Sequence, residues 1–272
     1  MPEANNSRSC VFCGSRANSK EHVFAKSVCE RAGDINYPVV AGISTEGQEN
    51  VLRNAEPIPI QSLTVRCVCR PCNNVWMRDL EIWFLSRLGS LIEPQWPRDA
   101  LPLIEALKPE RHKLAHWLMK SAVTFSIACE QRDHPVEFST AVTRNIKDGV
   151  FPENCWVDLA YSNYPTIGGT ITRHFSIING GQPSENRVLP NGVGFKFMVQ
   201  FNHLLLRIGH SPTDLNVTYE TWNGELPVRL YPMPTQIPDN FAYEHVLKFD
   251  KSVVLESWAC FEKTDSRIES FG

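Results

Sequence analysis

The chain has 272 residues, 42% of them hydrophobic, enough for a sizeable core and too many for wholesale disorder. Its formal charge of -3 excludes a broadly basic nucleic-acid-binding chain, so any such binding must use a local patch. The nine cysteines are odd in number, the chain is long, and the opening Met-Pro-Glu-Ala-Asn-Asn lacks the character of a signal peptide, so metal-bound thiolates in a reducing cytoplasm are expected rather than a disulfide framework.

In chain order, residues 10–14 (Cys-Val-Phe-Cys-Gly) read as a tight metal-binding turn in which Gly14 takes a positive φ. Residues 22–26 read as a strand end, and residues 29–48, with Gly, Pro, Asn and Asp, as an irregular insertion. Short strands are expected near residues 50–53 and 58–68. In the second, Leu63, Val65, Cys67 and Cys69 alternate with Thr64, Arg66 and Val68. A helix is expected from about Cys72, with an apolar stripe of Val75, Trp76, Leu80, Trp83, Phe84 and Leu88 and a stop at Gly89. Pro94, Pro97 and Pro102 break up the next stretch. A second helix, residues 109–130, has Leu114, Trp117, Leu118, Val123, Phe125 and Ile127 on a broad apolar face. From about residue 135 the pattern turns to strands, at 156–161, 170–178, 194–208 and 217–222, with closing strands in 245–262. Turns are expected at Gly168-Gly169, Gly180-Gly181, Asn191-Gly192 and Asn223-Gly224. No apolar run approaches the roughly 18–20 residues that span a bilayer, so no membrane partner is expected. The expected fold class is α+β: a zinc-centred module over residues 1–90, a helical connector over 91–134, and a mainly-β half over 135–272 with a specificity or regulatory role.

Cys10, Cys13, Cys69 and Cys72 form two Cys-x-x-Cys pairs, the ligand spacing that tetrahedral zinc favours. Four thiolates close the coordination shell, so this zinc is expected to be structural. Cys67 also lies near Cys72, but only Cys69 reproduces the spacing of the first pair, so Cys69 is the expected ligand. Cys29, Cys129, Cys155 and Cys260 have no partner at metal spacing and read as small buried residues.

Between the pairs stand Lys20-Glu21-His22-Val23, and after the second come Asn73-Asn74-Val75-Trp76-Met77 and then Leu80-Glu81. Together with the cysteines, these residues resemble the HNH endonucleases, in the subgroup where a treble-clef zinc site holds a ββα-metal active site. They also resemble uncharacterised bacterial HNH proteins, some of which occur near phage-defence genes. The likeness covers residues 10–81. Glu21 stands where the family more often has Asp. The resemblance implies a metal-dependent phosphodiester hydrolase acting on DNA. His22 would be the general base, while Glu21 and Asn73 would hold a catalytic Mg²⁺ or Mn²⁺. Asn50, with Asn54 as runner-up, would orient the histidine. RNA stays open, because such a site reads a phosphate and not a sugar. Double-strand cutting would need two sites and hence a homodimer. Partner proteins of a defence system are a further expectation, and a non-catalytic zinc module binding nucleic acid or protein is the alternative.

The residue chemistry stands beside the likeness. A neutral histidine can take a proton from water near pH 7. A hard divalent cation wants oxygen ligands, which a carboxylate and an amide supply. Lys20, Arg66, Arg70 and Arg78 flank the site and suit phosphate contacts. Asn73 also suits a helix cap. His112 and His116 read as helix surface or core, and Asp133-His134 as a turn. Trp156, Tyr161, Tyr164 and Trp222 suit base stacking or, more commonly for aromatics in β-rich folds, a core.

Overall fold

The computed structural model describes residues 9–33, 60–98, 100–128, 136–172, 174–179, 182–188, 192, 194–210, 215–219, 228–231, 248–249 and 259–263. The fold mixes helix and strand, as expected of the α+β class. Strand β1 (Ser19–His22) stops where a strand end over residues 22–26 was expected, and helix α1 (Lys26–Ala32) follows, reaching into the stretch 29–48 where an irregular insertion was expected. Lys, Glu, Arg and Ala favour the helix over residues 26–32, and Gly33, with φ +105°, ends it. Strand β2 (Thr64–Val68) is shorter than expected, because Ile60–Ser62 form a 3-10 turn. It pairs antiparallel with β1, with Glu21 opposite Val65 and His22 opposite Thr64.

Helix α2 (Arg70–Cys72), a π-helical stretch (Asn73–Met77) and helix α3 (Arg78–Leu88) form one helical run. The run starts two residues before the expected Cys72, with Pro71 in its first turn, where a missing N–H costs nothing. Asn73 therefore lies inside the helix, at φ -62° and ψ -49°, and is not its cap. Two further short helices were not expected. In α4 (Ala100–Glu105) Pro102 falls within the first turn, where proline is tolerated. Helix α6 (Thr140–Lys147) is capped by Ser139, whose hydroxyl accepts from the Val142 N–H. Between them, α5 (Arg111–Ala128) matches the second expected helix.

The β half is built on two long antiparallel strands, β3 (Cys155–Thr172) and β6 (Phe195–His210). Gly168-Gly169 is no turn: β3 runs straight through it. A Cβ on Gly169 would lie 3.3 Å from both the Met198 carbonyl oxygen and the Phe125 ring, so glycine serves close approach to β6 and α5. Strands β4 (His174–Asn179) and β5 (Gln182–Val188) pair antiparallel around Gly180-Gly181, which lies outside the described residues. Strands β7 (Leu215–Tyr219) and β10 (Ala259–Lys263) join them in the order β5-β4-β10-β7. Strands β8 (Val228–Tyr231) and β9 (Lys248–Phe249) flank β3. The turn expected at Asn223-Gly224 lies outside the described residues.

One hydrophobic core runs from Cys10 to Ile208 across all three sequence stretches. Its centre is aromatic. Phe84 stacks on Trp117 at 3.8 Å, and Phe24 meets Phe201 edge-on at 5.4 Å. Phe24 follows His22 by two residues, so the core anchors the exit from β1. Helix α5 is buried on nearly every side over residues 114–126, as a central helix must be.

Asn202 locks the halves together. It sits at φ +53°, where β6 loses register against β3, and its amide donates to the Ala32 and Ile92 carbonyls at 2.6 and 2.7 Å. Asn202→Gly keeps the backbone conformation but strands two buried carbonyls. The expected cost is about 2 kcal/mol or more, seen as a lower urea midpoint. An unchanged midpoint would mean that the two bonds do not hold the halves together.

Candidate metal centre and active site

The metal centre is assembled from two local structures. Cys10 to Gly14 turn tightly, with the Gly14 N–H donating to the Cys10 carbonyl at 2.8 Å and Gly14 at the expected positive φ of +78°. Cys69 sits in extended conformation just before α2, and Cys72 lies within it. The Val11 N–H donates to the Cys67 carbonyl at 2.9 Å, pinning the turn to β2. Phe12 meets Trp76 edge-on at 5.1 Å, pinning it to the helical run. The ligand sulfurs of Cys10, Cys13, Cys69 and Cys72 all lie within 4.8 Å of one another, with Cys13 and Cys69 sulfurs 3.4 Å apart. Tetrahedral zinc at about 2.3 Å from each sulfur sets them about 3.8 Å apart. The four cysteines can thus bind a structural metal such as zinc. Cys67 is buried in β2 and is not in the cluster.

Burial pushes the Cys69 and Cys72 thiols up. Burial also opposes ionisation of Cys13, but hydrogen bonds from Ser15, Cys69 and Cys10 outweigh it and bring Cys13 down to about 6. Metal binding would displace protons from such a set, so acid should release the ion.

The acid–histidine pair lies at the end of β1, beside a register irregularity between Ser19 and Glu21. Strand alternation sends the two side chains to opposite faces. His22 is half-buried on the outer side, two residues from exposed Lys20. Glu21 turns inward and is only 5% exposed. Its Oε1 lies 3.6 Å from Nζ of Lys120, a fully buried residue of α5, and that ammonium lies 3.0 Å from Oε1 of Glu81 on α3. Burial raises the Glu21 carboxyl from 4.5 to about 7; Lys120 pulls it down and Glu81 pushes it further up. Burial acts to discharge Lys120, but Glu81 and Glu21 more than offset it and raise its pKa.

A carboxyl raised in the folded state favours folding at low pH. That contribution is whole below the unfolded value and is lost as pH rises through about 7. Without added divalent cation, wild-type stability should therefore fall relative to Glu21→Gln by roughly 2–3 kcal/mol between pH 5 and pH 8. Urea titrations of the two proteins across that range check it; parallel curves would refute it.

Asn73 approaches β1 at Ser19, where its Nδ2 donates to the hydroxyl at 2.8 Å. The sequence reading missed the neighbouring Asn18, whose Oδ1 accepts from the Arg70 N–H at 2.9 Å, so a side chain from the β1 approach satisfies the helix start. Glu21, His22 and Asn73 thus share one ββ-helix frame. Among the described residues, no hydrogen bond or ion pair joins them to one another. Lys20, Arg66, Arg70 and Arg78 are all exposed, and none makes an ion pair with a described residue. Asn50 and Asn54 lie outside the described residues, as do Asp133-His134 and Trp222.

Several other sequence candidates belong to packing. His116 stacks on Trp76 at 5.1 Å, and burial lowers its pKa to about 4. His112 is exposed. Trp156 is 2% exposed, with the Arg207 guanidinium 4.5 Å above its ring, which removes it as a stacking platform. A cleft of 630 Å³ opens beside the metal turn, lined by residues including Val11, Gly14, Thr143 and Arg144, but not by Glu21, His22 or Asn73.

No family model matches the chain, and no curated protein or solved structure is found to be similar to it.

Proposed function

We propose that the protein is a divalent-cation-dependent endonuclease of the HNH type that hydrolyses DNA phosphodiester bonds, with a treble-clef zinc site as its frame. The observation that carries this reading is the closed ββ-helix unit. Four sulfurs tie the N-terminal turn to the start of the helical run. The β1–β2 pair sets Ser19 opposite Val68, beside that same helix start, where Asn73 holds it, and Glu21-His22 follow on β1 opposite Val65 and Thr64.

In this reading His22 takes the proton from the attacking water. Lys20, Arg66, Arg70 and Arg78 hold backbone phosphates, which positions the polymer without reading its sequence. Glu21 and Asn73 offer oxygens that suit a hard cation: one Glu21 oxygen is committed to Lys120, and the Asn73 amide donates to Ser19 through Nδ2, which leaves Oδ1 for the cation. When bound, Mg²⁺ or Mn²⁺ would polarise the phosphate and stabilise the leaving oxygen. Cutting both strands requires two such sites, so a homodimer belongs to the same proposal, and action within a phage-defence system follows from the family likeness alone.

The alternative reading, a non-catalytic zinc module, is favoured by one feature. Glu21 is nearly sealed from solvent and ion-paired, as structural carboxylates are. Supercoiled plasmid and single-stranded RNA, incubated with the zinc-loaded protein in Mg²⁺, in Mn²⁺ or without either, separate the two. The nuclease should open circles first, with 5′-phosphate and 3′-hydroxyl ends, and only with added cation. Nucleic-acid binding by the zinc-loaded protein that persists without added Mg²⁺ or Mn²⁺, with neither polymer cut under any condition, would favour the alternative.

A further inference from the structure

We infer that Lys120 is a positioning residue for the proposed reaction, holding the Glu21 side chain from outside the zinc module so that one carboxylate oxygen stays committed and the other serves the cation. This rests on the reading of Glu21 as a cation ligand. Three elements meet at one ammonium: Glu21 from β1 at 3.6 Å, Glu81 from α3 at 3.0 Å, and Lys120 itself on α5, with no exposure. A buried lysine needs partners, because an unpaired charge in a core is strongly unfavourable. One carboxylate would neutralise it. Two, when both are ionised, leave an excess negative charge next to the strand that carries His22, which suits an adjacent cation. A long side chain fixed at both ends also restricts Glu21 to few rotamers, the service that outer partners give to metal ligands. The ammonium comes from the central helix, so the proposed active site is complete only when α5 is docked on the module.

The test reads Mn²⁺ binding, by loss of the free-Mn²⁺ resonance, in the full-length zinc-loaded chain and needs no turnover. Wild type should bind Mn²⁺ at a site that Glu21→Gln abolishes. Lys120→Met should weaken that site by about tenfold or more at unchanged zinc content, and Lys120→Arg should restore it to within about threefold. A Kd for Lys120→Met within about threefold of wild type would overturn the inference. If Lys120→Met does not fold, Glu81→Gln decides. It should loosen the site by more than about threefold, and no change would overturn the inference. Absence of any Glu21-dependent site in wild type would instead remove the reading of Glu21 as a ligand, and the inference with it.

Discussion

Cys69→Ser protein is expected to bind no zinc and to lose the fold of residues 9–33 and 60–88. The substitution keeps the size of the side chain but replaces a thiolate ligand with a poor one. Structural zinc contributes an apparent 10–16 kcal/mol or so in small modules, comparable with or above the roughly 5–15 kcal/mol by which whole domains are stable. Besides the metal, the N-terminal turn is held by one backbone bond to Cys67 and by Phe12, buried in the common core with its edge on Trp76. The loss should spread, because Val23, Phe24 and Phe84 belong to the common core. Metal analysis with a thermal melt checks it. Wild type should carry one zinc per chain, and the variant should carry none and melt early or without cooperativity. Cys67→Ser is the control: its sulfur is outside the cluster, so zinc should remain. Equal zinc and equal melting in Cys69→Ser would remove the metal centre from the account.

His22→Ala is expected to lower the nicking rate by about 10²–10⁴-fold, the usual contribution of a positioned general base. The fold should survive, because His22 is half-buried and its side chain makes no hydrogen bond or ion pair with a described residue, while its neighbours Val23 and Phe24 carry the packing. The deficit should shrink at high pH, where hydroxide replaces base-assisted water. A variant that lost activity together with its zinc would report on folding and not on the base, so zinc content and melting are measured on the same samples.

Local signals in the sequence were legible and distant ones were not. The paired cysteine spacing identified the four clustered sulfurs, and Gly14 gave the positive φ of the turn, because both are properties of a few adjacent residues. The apolar period of α5 was equally plain. Lys120 was not: within that helix it reads as a gap in the stripe, and its meaning comes only from Glu21 and Glu81, which the fold brings to it from other elements. Gly168-Gly169 carries a turn signal, yet here glycine answers a steric need set by Phe125 and Met198. Short helices such as α1 and α6 escaped because so few residues give little periodicity to read. Asn73 carries a helix-start signal, but the run begins at Arg70, and its amide nitrogen donates to Ser19.

The most direct measurement of the central claim is the single-turnover nicking rate of supercoiled plasmid by zinc-loaded wild type and His22→Ala, side by side in saturating Mn²⁺ at neutral pH. The account predicts metal-dependent open circles from wild type and a rate lower by about 100-fold or more from the variant at equal zinc content. Equal rates in the two proteins would contradict it.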